Sequence, residues 1–290
     1  MRQKILTTAI MLGMAIGLYA KKKAEIPRAE VKVEYNYHHL SLRSDGEVST
    51  RDYDYLLLAN AVCSKFYNKG TEFIDSLDST PSGRAIHNQL ITAGLKQYKE
   101  TGNTSAVPRK NGNMYVFKSI LQGETTVYDS YGLMEKGYYT EPYGEIEWQI
   151  GDSVKSVLGY ECQMAEADYH GRHWTVWFTA EIPLQDGPWK LCGLPGLIME
   201  ATESTGQHSF TAKGIEKSNE EMYPIYQPKT YDRMKRIDML RAYAASRKSE
   251  GSYTRALITD TPDGSQVDMP TPKQTKENTQ NIDLLETDYH

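Results

Sequence analysis

The chain is short of the residues on which most catalytic and cofactor-binding motifs are built. Only three cysteines occur in 290 residues, Cys63, Cys162 and Cys192, and no two are spaced as CxxC. Three scattered thiols do not make a zinc or iron–sulfur site. Phenylalanine is scarce, 5 against 21 tyrosines. A core closed mainly by Phe is therefore excluded, and half-wet sheet surfaces, where Tyr buries a ring and keeps its hydroxyl in water, are favoured. Neither GxSxG, a phosphate-binding Walker loop, a Rossmann glycine fingerprint nor HExxH appears. Apart from the first twenty residues, no apolar run approaches membrane-spanning length.

Those first twenty residues read as a signal peptide. Arg2 and Lys4 supply a basic start, Ile5 to Leu18 an apolar stretch, and Tyr19-Ala20 before Lys21-Lys22-Lys23 a cleavage point. No cysteine follows that would accept a lipid. Removing residues 1–20 takes away two cations, so the formal charge moves from -5 to -5 − 2 = -7. A mildly acidic exported domain is a poor nucleic-acid binder. The expectation is a periplasmic or secreted protein with no transmembrane span after cleavage. Residues 21–250 are read as one β-rich domain and 251–290 as a largely disordered Pro-, Thr- and Gln-rich tail, with a short edge strand near 281–286.

Val31, Val33, Tyr35 and Tyr37 alternate with Lys32, Glu34, Asn36 and His38, the pattern of an antiparallel strand with one buried face. Tyr53–Leu58 is a second strand. Thr80 is an N-cap, Pro81 fits the first helical position, and Ile86, Leu90, Ile91, Leu95 and Tyr98 form a stripe before Gly102. This predicts a helix over 81–100 that packs on a sheet face or closes one end of a barrel. From Met114 to about Lys217 short strands follow one another, with His170-Gly171 as a two-residue hairpin turn. Residues 229–248 repeat Met234, Ile237, Leu240 and Tyr243 at helical spacing under seven cations, which predicts a basic amphipathic helix. The fold class expected is mainly β (α+β), a curved antiparallel sheet or partial barrel with these two helices.

The order Gly159-Tyr160-Glu161-Cys162, Trp174-x-x-Trp177-Phe178-Thr179, Glu181-Ile182-Pro183 and Gly187-Pro-Trp-Lys-Leu-Cys-Gly-Leu-Pro-Gly-Leu-Ile198 resembles the GLPGLI family (Porph_ging) of secreted proteins of the Bacteroidota. The resemblance implies an exported, antiparallel β-rich protein and brings no catalytic residues with it. Read from its residues, the last run is expected to have a structural role, as a kink or bulge that turns one strand into the next, the alternative being a backbone loop that faces a ligand. Gly193 and Gly196 permit backbone closed to other residues, Pro195 ends a ladder, and Leu194, Leu197 and Ile198 enter the core.

Cys162 and Cys192 both fall in the strand-rich centre, so a disulfide between them is expected, closing a loop of about 30 residues and adding roughly 3 kcal/mol. The main functional expectation is a non-enzymatic binding or accessory protein with no cofactor. It would hold a hydrophobic ligand or peptide on a sheet lined by Tyr35, Tyr37, Tyr115, Phe117, Trp148, Trp174, Phe178 and Trp189. Two alternatives stand beside it. One is a hydrolase using carboxylates, or a metal held by the weak ligand pair His170 and His173. The other is a module that docks on an outer-membrane or other envelope protein through the basic helix.

Overall fold

The computed structural model describes residues 26–42, 48–132, 135–249 and 284–290. The predicted signal peptide and residues 250–283 lie outside this set. The twelve strands form one sheet. In chain order they are β1 (Val31–Leu42), β2 (Val48–Ala59), β3 (Cys63–Asn68), β4 (Tyr115–Ser119), β5 (Glu124–Ser130), β6 (Lys136–Pro142), β7 (Gln149–Val157), β8 (Tyr160–Tyr169), β9 (Arg172–Thr179), β10 (Leu197–Glu203), β11 (His208–Lys217) and β12 (Asp232–Arg233). Their spatial order is β12-β6-β5-β4-β3-β2-β1-β11-β10-β9-β8-β7. All pairs are antiparallel except β12 with β6, so the sheet is mixed. It is open, not a closed barrel.

It is nevertheless strongly curled. β6 lies near one end of the sheet and β7 is the opposite edge, yet only residues 143–148 join them. Seven peptide steps span at most roughly 25 Å. The two ends therefore face each other across a seam, and the inner face becomes a core. Ala165, Val176, Ala201, Phe210, Tyr37 and Tyr53 stand opposite one another in successive strands along that face. Val33, Tyr35 and Tyr37 are buried there, as their alternation predicts.

The signature run fills the curve. Trp189, Leu191, Leu194, Leu197 and Ile198 are each at most 1% exposed and belong to the inner core. The glycines allow this. A Cβ on Gly196 would stand 2.0 Å from the Thr179 carbonyl oxygen, and one on Gly187 2.7 Å from Ile198. Trp189 itself has φ +53°, a left-handed conformation that costs a bulky residue energy and is held by its surroundings. From the far half of the sheet the buried Lys118 donates to the carbonyls of Gly187 (2.8 Å) and Trp189 (2.9 Å) and pairs with Asp186. The linker adds a bond from Trp148 Nε1 to the Cys192 carbonyl, 2.8 Å.

Three expectations need correction. Cys63, Cys162 and Cys192 are all free thiols. Cys162 and Cys192 have separate surroundings, the first facing Val157, Lys155 and Glu200, the second Lys118, Asp186 and Tyr143, and so form no disulfide. The predicted helix becomes α2 (Pro81–Thr101), capped by Thr80 and ended by Gly102 in a left-handed conformation, but its stripe does not pack on the sheet. It leans on α1 (Lys69–Asp78) and the 3-10 turn Thr104–Ala106 through Gly83 and Gly94, whose backbones approach Leu77 and Ala106, and Ile86 stays 48% exposed. The basic helix is α3 (Arg236–Ser249), and residues 229–235 form a short turn and β12 instead. As for the edge strand expected near 281–286, residues 281–283 lie outside the described set and 284–290 join no ladder.

Candidate functional site

The polar groups with most chemical capacity gather at the seam. The type I′-like turn at His170 (φ +51°) and Gly171 (φ +80°) brings His170 from the β8–β9 hairpin. β6 brings Tyr139 and Glu141, the signature run Lys190, α3 Arg236, and the C-terminal segment Glu286 and Asp288. Lys190 is fully buried and pairs with Glu141 and Glu286, each at 2.8 Å. Arg236 donates to Glu286 at 2.5 Å and to the two oxygens of Asp288 at 2.8 and 2.7 Å. Tyr139 donates to Glu286 at 2.9 Å. His170 lies between carboxylates, 3.3 Å from Glu141 and 3.3 Å from Asp288.

Charge tuning follows from these pairings. Burial raises the Glu141 carboxyl, but the contact with His170 and the charge of Lys190 outweigh it and bring it down to about 2. Asp288 is likewise lifted by burial and then lowered to about 2 by Arg236 and His170. Burial alone would lower the Arg236 guanidinium, and its bonds to Asp288 and Glu286 raise it instead. Three acids are thus set among Lys190, Arg236 and the His170 ring. Beside this network a cleft of about 240 Å³ opens at the surface, lined by Glu141, Pro142, Glu145, Asp168, Tyr169 and His170.

His170 Nδ1 or Nε2 and one oxygen each of Glu286 and Asp288 lie within 4.8 Å of one another, a spacing a cation could use. The Arg236 guanidinium already spans both carboxylates, so a metal would compete with a fixed positive charge. His173, the other weak ligand candidate, is not part of this group and contacts Asp168 on the exposed face of the hairpin at 2.8 Å. The thiols offer no activated nucleophile. Burial raises all three, Cys192 to about 11. Asp129 on β5 is pushed up to about 7 by burial and is not among the residues lining the cleft.

The eight aromatic candidates divide. Tyr35, Tyr37, Trp174, Phe178 and Trp189 are buried in the inner core, and Trp148 packs against its margin. Trp174 and Trp189 lie 5.6 Å apart, and Tyr37 stacks on Phe210 at 4.7 Å. Tyr115 and Phe117 belong to a second cluster on the opposite face, where Tyr115 donates to Asp75 at 2.6 Å. One strand cannot send neighbouring odd and even positions to one side, and β4 sends Val116 and Lys118 inward instead.

Sequence reasoning singled out His170 but missed Glu141, Lys190, Arg236, Glu286 and Asp288 as its neighbours. The one usable signal was a lysine inside an otherwise apolar signature, since a buried Lys demands an acid.

An open, curled, mainly β sheet filled by its own Gly- and Pro-rich run is the class of protein these features define. The run is also what other proteins share with it. Residues 169–200 match the family model described as "Protein of unknown function (Porph_ging)", in agreement with the signature. No curated protein matches. Among solved structures the chain is similar to PNGF-II in its C2 crystal form (TM-score 0.46, 13% identity, 75% of this chain and 33% of that one). In the P21 form the TM-score is 0.47 at 12% identity, over 76% and 34% of the two chains. A putative outer membrane lipoprotein-sorting protein domain from Vibrio parahaemolyticus gives a TM-score of 0.20 at 8% identity, over 72% and 89%. The chain thus spans about a third of PNGF-II, and likenesses this distant set no function.

Proposed function

We propose that this chain is an exported, non-enzymatic accessory protein of the cell envelope that engages a peptide partner at the seam of its sheet, around the Glu141–His170 cleft. The observation behind this reading is the filled curve. Trp174, Trp189 and Leu194 are at most 1% exposed where a hydrophobic ligand would lie, so a lipid-sized guest would have to expel the signature run. The seam, by contrast, presents Glu145 and Asp168 to solvent beside a network of fixed charges. Glu141 is held as an anion far below neutrality, which suits fixed charge pairing and not proton transfer at pH 7.

Two measurements on the full chain in its own envelope test the reading. A photoreactive residue at Glu145 should capture a partner, and the same probe at the exposed Val154 on the far side of β7 should not; absence of capture at 145, or equal capture at both, overturns it. Native mass spectrometry of the purified protein should show no lipid-sized mass. A bound lipid would return the interior of the sheet to the role of ligand site.

A further inference from the structure

The seam already holds a peptide, and that peptide belongs to the chain itself. Residues 284–290, Leu-Leu-Glu-Thr-Asp-Tyr-His, cross it with no strand ladder to hold them. They are held by groups of β6, the β8–β9 hairpin, the signature run and α3. Arg172 of β9 donates to the carbonyls of Leu284 and Leu285, in each case at 3.1 Å. The Thr287 amide donates to the His170 carbonyl at 3.0 Å, and its hydroxyl to the Gly171 carbonyl at 2.9 Å. Arg241 donates to the Tyr289 carbonyl at 2.8 Å. Leu284 is 6% exposed and Glu286 4% exposed.

This is how a peptide is bound by a receptor. Apolar residues enter first, carbonyls are read by an arginine, and two acids meet a buried lysine and a bidentate arginine. Lys190 and Arg236 complement the two acids of the segment, Glu286 and Asp288, while Arg172, itself paired with Glu203 at 3.0 Å, and Arg241 read its carbonyls. Most of the contacts come from side chains, and the backbone bond from Thr287 to His170 is of a kind that a separate extended peptide also makes. Between the last turn of α3 and Leu284 run residues 250–283, enough chain for the segment to leave the groove and stay attached.

We propose that the groove lined by Arg172, Lys190, Arg236 and His170 is a binding site for an extended acidic peptide of the pattern Leu-Leu-Glu-x-Asp. The chain's own C-terminal segment occupies it as an intramolecular competitor. This deepens the reading of the seam as the partner site and rests on it. A partner carrying the same pattern displaces residues 284–290, and the local concentration of the tethered segment sets the affinity such a partner must exceed.

The test leaves the groove unaltered. A recognition sequence for a site-specific protease is inserted after Gly264 of the full chain, the chain is cut, and isotopically labelled peptide spanning residues 281–290 is added. Native mass spectrometry should show the cut segment retained at low salt and then replaced by the labelled peptide. A peptide carrying Glu286→Gln and Asp288→Asn should need at least tenfold more material to do the same. Failure of the labelled peptide to exchange, loss of the fold when the segment leaves, or equal displacement by the doubly substituted peptide would each overturn the proposal. Capture at Glu145 is read separately. If it persists without exchange, only this inference falls; if exchange occurs without capture, the partner reading falls and the peptide groove stands.

Discussion

Two segments fill the open side of the same sheet, and they do so by opposite means. The signature run Gly187–Ile198 is inserted by glycine close approach, tryptophan burial and hydrogen bonds from the Lys118 ammonium to its carbonyls. The segment 284–290 is laid across the seam by ion pairs and by carbonyls bonded to arginine. Apolar burial in a close-packed interior is indifferent to pH and little affected by salt. Charge pairing at a rim answers to both. The first segment is therefore part of the fold, and the second is a part that can be released.

The largest expected effect lies in the signature. Trp189→Ala removes a ring packed against Trp174 and Tyr169, and should cost about 3–5 kcal/mol in urea unfolding. Lys190→Met belongs to both segments. It takes from Glu141 and Glu286 the buried cation they share and leaves them Arg236, and should cost about 3 kcal/mol while freeing the C-terminal segment to proteolysis. Acid sharpens the contrast. Glu141 and Asp288 have folded values of about 2, below the ordinary 4.5 and 3.8, so their contribution is complete above about pH 4.5. It is lost as pH falls toward 2. Limited proteolysis across that window should cut near residue 284 before near-ultraviolet circular dichroism shows loss of the tryptophan core.

Smaller effects should mark the regions outside both segments. Ile86→Ala on the exposed stripe of α2 should change stability by no more than about 0.5 kcal/mol, where a core position would cost several times that. Reductant should leave the melting temperature unchanged, and the denatured chain should titrate three thiols.

Much of the fold was legible because strands announce themselves locally. The Val31–Tyr37 alternation and the His170-Gly171 turn gave their elements directly, and Thr80-Pro81 to Gly102 marked both ends of a helix. Periodicity records that a stripe exists, not what covers it, and α2 approached its neighbours by Gly83 and Gly94 instead. β3 was missed because Cys63–Asn68 carries too little alternation. The seam was the least legible part. Its charges come from positions 141, 170, 190, 236, 286 and 288, which share no spacing and meet only once the sheet has curled. The cysteines misled for a related reason. Nearness in a strand-rich stretch is not nearness in space when Cys162 is on a strand and Cys192 in a loop that has crossed the inner face.

Hydrogen exchange of two amides tests the contrast most directly. The Thr287 amide bonds to the His170 carbonyl and the Ile198 amide to the Asp186 carbonyl, at 3.0 and 2.9 Å. Going from low salt to about 1 M salt, where the Debye length is near 3 Å, Thr287 should exchange at least tenfold faster and Ile198 should not change. If both amides respond together, or neither does, the C-terminal segment is as much a part of the fold as the signature, and the account is wrong.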